Sequence, residues 1–229
     1  VSGETRTNVS IVNVDHSHYI KANEPGPTIS PSEQQVLLDK VKALSKPGDW
    51  WVLAGSLPPG VPQAFYEQII DVIKDAGGRV VLDTSGNSLI HGCKAGPFLI
   101  KPNDVELKML TGMPTDTTPQ ILDAAKSLQS LGVLNSLISM GKRGAILMTE
   151  EGSWFIKSPE IEERNPIGAG DSMVGGLVWG LWQGFDMKES ARWGVACGAA
   201  AASLSGTAVG SLELVELLFS QIIVESIKR

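Results

Sequence analysis

A chain of 229 residues, 42% of them hydrophobic and 19% charged, can bury one sizeable core, which excludes a disordered or fibrous protein. Its net charge of -6 offers no basic surface to nucleic acid or to an anionic membrane, so a bound anion must be held by local geometry. The two cysteines, Cys93 and Cys197, lack metal-ligand spacing and read as buried thiols of a reducing, cytoplasmic compartment.

In chain order, "TRTNVSIVNV" and "HYIKA" have strand composition and flank the polar "DHSH", which predicts a hairpin over residues 5–22. His16 and His18 stand two apart and could share one strand face, but no third ligand is near and no metal site is expected. Ser30, Pro31 and Glu33 in "SPSEQQVLLDKVKAL" supply the cap, first-turn proline and third-position acid of a helix. The pattern then alternates through strand "WWVLAG", a helix over 62–76 stopped by Gly77 and Gly78, strands "RVVLD" and "FLIK", and a helix from Asn103. Beyond a helix at Thr118 and Pro119 come strand "NSLISM", a hairpin "AILMT" / "SWFIK", and helices over 170–184, 188–204 and 211–228.

Strands alternating with amphipathic helices predict an α/β fold, with a mainly parallel sheet covered on both faces and ligands collected beyond the C-terminal strand ends. The run "WGVACGAAAASLSGTAVGSL", residues 193–212, reaches membrane-spanning length, yet its small and hydroxyl residues fit a tightly packed helix of a soluble protein.

Five segments fall where strands should end: "AGSLPPG" (54–60), "LDTSG" (82–86), "IKPNDVE" (100–106), "SMGKRG" (139–144) and "IGAGD" (167–171). Two readings of "GAGD" stand. It is a tight turn with Asp171 at the positive end of a helix dipole, or Gly168, Ala169 and Gly170 present backbone N–H groups to an anion, with Asp171 beside it as general base. "NDVE" is either a capping box of Asn103 and Glu106 or a place where Glu106 orders water around Mg²⁺. "SMGKRG" is either a glycine turn between strands or a backbone nest for nucleotide phosphates. There is no Walker A sequence, so a nucleotide would not sit on a P-loop. Arg6, on a predicted strand, is either solvated or a two-pronged grip for a phosphate.

Taken in order, "AGSLPPG", "LDTSG", "KPNDVEL", "SMGKRGA" and "GAGDSMVGG" resemble the PfkB branch of the ribokinase-like carbohydrate kinases. Within it, "TRTNVSI", "NEPGP" and the spacing from "DTSG" to "KPN" are most similar to 1-phosphofructokinase and tagatose-6-phosphate kinase. The resemblance implies a three-layer αβα core over residues 24–229, with residues 1–23 part of a small β-lid that covers the sugar and can pair two subunits as a homodimer. It implies ATP and Mg²⁺ as cofactors and a sugar phosphate as substrate, with D-fructose 1-phosphate as the first expectation and tagatose 6-phosphate as the alternative.

By position, Asp171 matches the catalytic base and Gly168 to Gly170 the anion hole. Lys101, Asn103 and Glu106 match the segment serving ATP phosphates and Mg²⁺, with the metal reached from Glu106 through water. Ser139, Gly141 and Gly144 match the nucleotide loop, Arg6 and Ser56 match sugar-phosphate contacts, and Asn23 lies in the matching "NEPGP" segment. Pro166 and Ile167 replace a small hydroxyl residue and valine, which the retained glycines and Asp171 should tolerate. The family's N-terminal segment, with its first strands, a sugar-binding aspartate and a Gly-Gly element, has no counterpart. Either further chain lies upstream or that part is supplied in another form. A non-catalytic nucleotide-binding protein on the same core is the rival reading.

Overall fold

The computed structural model describes residues 1–12 and 19–227, so His16 and His18 lie outside the described residues. Near the start, β1 (Asn8–Val12) and β2 (Tyr19–Asn23) pair antiparallel as a separate two-stranded ribbon, in keeping with the expected hairpin. The main sheet opens with four parallel neighbours, β3 (Trp50–Ala54), β4 (Arg79–Asp83), β5 (Leu99–Ile100) and β6 (Ser136–Ser139). It continues antiparallel through β7 (Gly144–Thr149), β8 (Gly152–Lys157) and β9 (Ile223–Ser226), because tight turns join β6 to β7 and β7 to β8.

The two-residue period of the strands sorts their side chains between two cores. Val80, Leu82, Ile100, Ile138 and Ile146 pack under α1 (Pro31–Leu44), α2 (Phe65–Asp75), α3 (Gly86–Lys94), α4 (Asp104–Thr111) and α5 (Thr118–Ser127). Val81, Leu99, Leu137, Leu147 and Ile156 pack under α6 (Ala169–Trp182), α7 (Met187–Ala202) and α8 (Leu212–Phe219). This is the α/β fold with three layers that the sequence implied.

Two elements differ from the sequence reading. Helix α3 lies between "RVVLD" and "FLIK", where a parallel crossover requires one. Its signal is weak because it opens without a side-chain cap and contains Gly86 and Gly92. Gly92 is there for packing, since a Cβ on it would lie 2.5 Å from Leu82 Cδ2. The helix expected over 211–228 stops at Phe219, and Ile223–Ser226 become β9, whose β-branched residues pair with β8.

Glycines also set how closely α6 and α7 approach. A Cβ on Gly176 would lie 2.7 Å from the Trp193 carbonyl oxygen, one on Gly180 2.8 Å from Ser190 Cα, and one on Gly194 2.8 Å from the Met173 carbonyl oxygen. Gly175, by contrast, faces open space. The first half of the small-residue run lies in α7, a packed core helix that ends at Ala202, short of the helix expected over the whole run, and no described helix is long and apolar enough to cross a membrane.

At the β3 edge of the sheet Val52 is exposed, and a groove lined by Leu44, Trp50, Val178, Trp179 and Trp182 opens beside it. Cys93 is buried as expected, whereas Cys197 is only partly so.

Gly176→Ala should lower stability by about 1–3 kcal/mol through overpacking, while Gly175→Ala should be neutral or gain about 0.5–1 kcal/mol from helix propensity. Urea unfolding of the two variants checks this pair. Burial pushes the Cys93 thiol from 9.0 up to about 12, so its contribution to stability is whole below pH 9 and is lost as pH rises toward 12. The urea midpoint should fall across that range, with a shallower decline in Cys93→Ala.

Candidate active site

The parallel strands deliver their C-terminal ends to one edge of the sheet, and the flagged segments gather there. After β3 the chain turns through Gly55 at φ +88, a left-handed conformation that glycine adopts without strain. Thr84 Oγ1 donates to the Gly55 carbonyl at 2.7 Å, and the Tyr66 hydroxyl reaches the carbonyls of Ala54 and Gly55 at 2.8 and 3.1 Å. Ser56, thus placed, accepts from Arg6 Nη1 at 2.9 Å. Arg6 leads into the ribbon, whose root is tied by Thr7 N–H to Glu24 Oε2 at 2.7 Å and by Glu24 N–H to the Thr7 carbonyl at 3.2 Å. Asn23 ends β2 at the ribbon, exposed and with no hydrogen bond to Arg6 or Ser56.

Beyond β4 and β5 stands a buried ion pair, with Lys101 Nζ 3.2 Å from Asp83 Oδ1 and the two side chains 6% and 15% exposed. Burial raises the Asp83 carboxyl above the usual aspartate range; Lys101 pulls it back, and the negative charges of Glu106 and Asp171 add to the rise. Lys101 Nζ also lies 3.5 Å from where a Cβ on Gly170 would be, which places the ammonium against the first turn of α6.

Asn103 and Glu106 form the reciprocal box that caps α4. Asn103 Oδ1 accepts from the Glu106 N–H at 2.8 Å, and Glu106 Oε2 accepts from the Asn103 N–H at 2.9 Å. The structural reading of "NDVE" is therefore realised, and it leaves Glu106 Oε1 outside the box. Ser139 is held beside Asn103 by its N–H on the Pro102 carbonyl at 3.0 Å. A short 3₁₀ turn over Gly141–Arg143 then reverses the chain into β7. Gly144 is demanded by strand pairing, since a Cβ there would come within 2.0 Å of the Ile156 carbonyl oxygen. The segment is thus a glycine turn that also lines a cleft.

That cleft, of about 780 Å³, is walled by Asn103, Ser139, Gly141 and Gly144 on one side and by Ala169 and Gly170 on the other. Met173, Val195, Gly198, Ala199 and Ala202 give it an apolar floor, and the segment from Lys157 to Glu163 closes its rim. The α6 end is anchored through Asn165, whose Oδ1 accepts from the Ile167 N–H at 3.1 Å and whose own N–H donates to the Ala202 carbonyl. Gly168 caps α6 in the left-handed conformation, at φ +83. The Ala169 N–H turns back to the Pro166 carbonyl at 3.2 Å, which moves the helix-end donors one step on, to Gly170 and Asp171. Asp171 itself is exposed in that first turn.

Residues 1–213 match the family model for the pfkB family carbohydrate kinase. The 1-phosphofructokinase of Bacillus subtilis (strain 168) is 35% identical over 222 residues, 97% of this chain and 71% of that protein. The chain belongs to the pfkB family of carbohydrate kinases. It is therefore an ATP-dependent sugar kinase by family. A crystal structure of a possible 1-phosphofructokinase from Thermotoga maritima superposes with a TM-score of 0.90 at 26% identity, over 100% of this chain and 72% of that one. Phosphofructokinase-2 from Escherichia coli in complex with potassium superposes at 0.86 and 28% identity, over 93% and 69%.

Of the residues singled out from sequence, Asn103, Ser139, Gly141, Gly144, Ala169 and Gly170 line the cleft, Gly168 and Asp171 flank the last two at the start of α6, Lys101 lies beside Gly170, and Glu106 is hydrogen-bonded to Asn103. Arg6 and Ser56 meet each other at the β3 end, and Asn23 stands apart. Sequence reasoning missed Asp83, although its segment was flagged, and also the cleft floor, whose small residues read only as close packing.

Asn103→Ala should cost about 0.5–2 kcal/mol by removing the cap. Glu106→Gln should keep the box and stay within about 0.5 kcal/mol of the parent, because glutamine accepts the same N–H. Urea unfolding of both variants separates the capping role of Glu106 from any role of its charge.

Proposed function

We propose that this pfkB kinase transfers the terminal phosphoryl group of ATP to a ketohexose monophosphate, D-fructose 1-phosphate at its 6-hydroxyl, giving fructose 1,6-bisphosphate. The observation that carries the reading is the join at Gly170: Asp171 stands in the first helical turn next to Ala169 and Gly170, which line the cleft, and the Lys101 ammonium lies against Gly170. The name of the Bacillus subtilis relative supports the choice of sugar.

In this reading the nucleotide lies in the cleft, its base over the floor of Val195, Gly198 and Ala199 and its phosphates toward the α6 end. Gly168, Ala169 and Gly170 shape that end, while Lys101, Asn103, Ser139, Gly141 and Gly144 serve the phosphates. Arg6 and Ser56 hold the phosphate of the sugar, and Asn23 belongs to the segment that closes over it. The sugar hydroxyl oxygen bonds to the terminal phosphorus, the bond from that phosphorus to the oxygen of ADP breaks, and the hydroxyl proton passes to the Asp171 carboxylate.

Among the described residues no group of three or more His, Cys, Asp or Glu is arranged to hold a metal. Mg²⁺ held through water at Glu106 Oε1 would supply neutralisation of phosphate charge.

Residues 1–23 are proposed as part of the lid. The cross-strand pairs Val9 with Ala22 and Ile11 with Ile20 put apolar side chains on one face of the ribbon, and Val9, Ile11 and Ile20 are 48%, 60% and 68% exposed. A two-stranded ribbon is marginal unless such a face is covered, so a second subunit would bury it.

Initial rates with D-fructose 1-phosphate, D-tagatose 6-phosphate and D-fructose 6-phosphate test the reading, and the first should show the highest kcat/KM. A clear preference for either of the others overturns the sugar assignment. Asp171→Asn should lower kcat by about 10²–10⁴, the range of a general base, and an unchanged kcat would remove that role. Ile11→Asp should shift sedimentation from dimer toward monomer.

A further inference from the structure

We propose that Asp83 is a positioning residue: it pins the Lys101 ammonium against the first turn of α6, so that lysine and helix donors form one seat for the transferring phosphoryl group. This rests on the kinase reading above and adds to it a residue and a reason for its place.

The placement follows from strand register. Leu82 pairs with Ile100 across β4 and β5, and the Lys101 N–H donates to the Leu82 carbonyl at 3.1 Å, so Asp83 and Lys101 leave the sheet side by side. Lys101 is a point charge on a four-carbon stem with many rotamers, and burial alone does not choose one. Asp83 Oδ1, 3.2 Å from Nζ, does. The chosen position is an unfavourable one for a cation, because the first turn of a helix carries partial positive charge. Glycine at position 170 keeps the space for it, as Nζ stands 3.5 Å from the Cβ site.

A cation held against the positive end of a helix makes a strong field for an anion, and the burial of Lys101 sharpens it. Asp83 offsets the cost of that arrangement until the anion arrives. It does not compete as the base, since it is 15% exposed and its carboxylate is committed to Lys101, whereas Asp171 is exposed in the first turn of α6.

The test uses the full chain and compares ATP with adenosine, which shares the base and ribose but lacks the phosphates. Dissociation constants come from titration calorimetry. Asp83→Asn should weaken ATP about tenfold or more, the scale of one charge-assisted hydrogen bond, while adenosine stays within about twofold. Asp83→Glu should recover part of the loss. In a Lys101→Met background, adding Asp83→Asn should cost little more, since the aspartate acts through the lysine. That double variant removes both charges together and avoids leaving one buried alone, which keeps the test available if Asp83→Asn does not fold.

Equal weakening of ATP and adenosine would make Asp83 merely structural and overturn the proposal. ATP affinity unchanged in Asp83→Asn would overturn it too, with the kinase reading intact. A parent chain that binds neither ligand would overturn both.

Discussion

The close approach of α6 and α7 is the constraint on which the site depends. Four glycines, at 176, 180, 194 and 198, leave so little side chain between the two helices that each Cβ would meet atoms of the other. Ridge-and-groove packing at that distance gives α6 little freedom to slide or turn, so its N-terminal turn is fixed relative to the strand ends. Asn165 ties the preceding loop to the end of α7 through the Ala202 carbonyl, and the two restraints meet at Gly168. The same pair of helices provides the cleft floor, so the site's shape and its donors share one mechanical origin.

Charge around that end is arranged rather than abundant. The chain is acidic overall, and the acids Asp83, Glu106 and Asp171 lie near enough for the latter two to shift the first. Against them stands Lys101, buried and paired, beside a helix end where the Gly170 and Asp171 N–H groups make no hydrogen bond among the described residues. In the proposed reading such a site draws an anion by short-range geometry and not by a broad basic surface. One carboxylate oxygen of Glu106 caps α4, which leaves the other outside the box.

The strands and most helices were legible because their signals are local. The capping box of α1, the proline and acid of its first turn, and the two-residue period of "RVVLD" depend on neighbours in the chain. Helix α3 was not legible because its two glycines and its missing side-chain cap leave no local helix signal, and Gly92 is explained only by Leu82, which comes from another element. Strand β9 was hidden for a related reason: "IIVES" continues the apolar pattern of α8, and only the partner β8 decides that it is extended. Among site residues, the short motifs at strand ends were found because each is a glycine or cap signal in itself. Asp83 was missed because an acid after a strand has many uses until its partner is known.

By itself, the sequence determined the class of fold, the order of its segments and the family, since glycines, caps and apolar periods act over a few residues and need no distant partner. Only the tertiary structure decided what the flagged residues touch. It made Glu106 a cap with one oxygen to spare, Gly144 a requirement of strand pairing, and Gly170 the place where Lys101 comes to rest. Those outcomes depend on distances between residues far apart in the chain, and such distances are set by packing two helices and two parallel strands against each other, which no local pattern records.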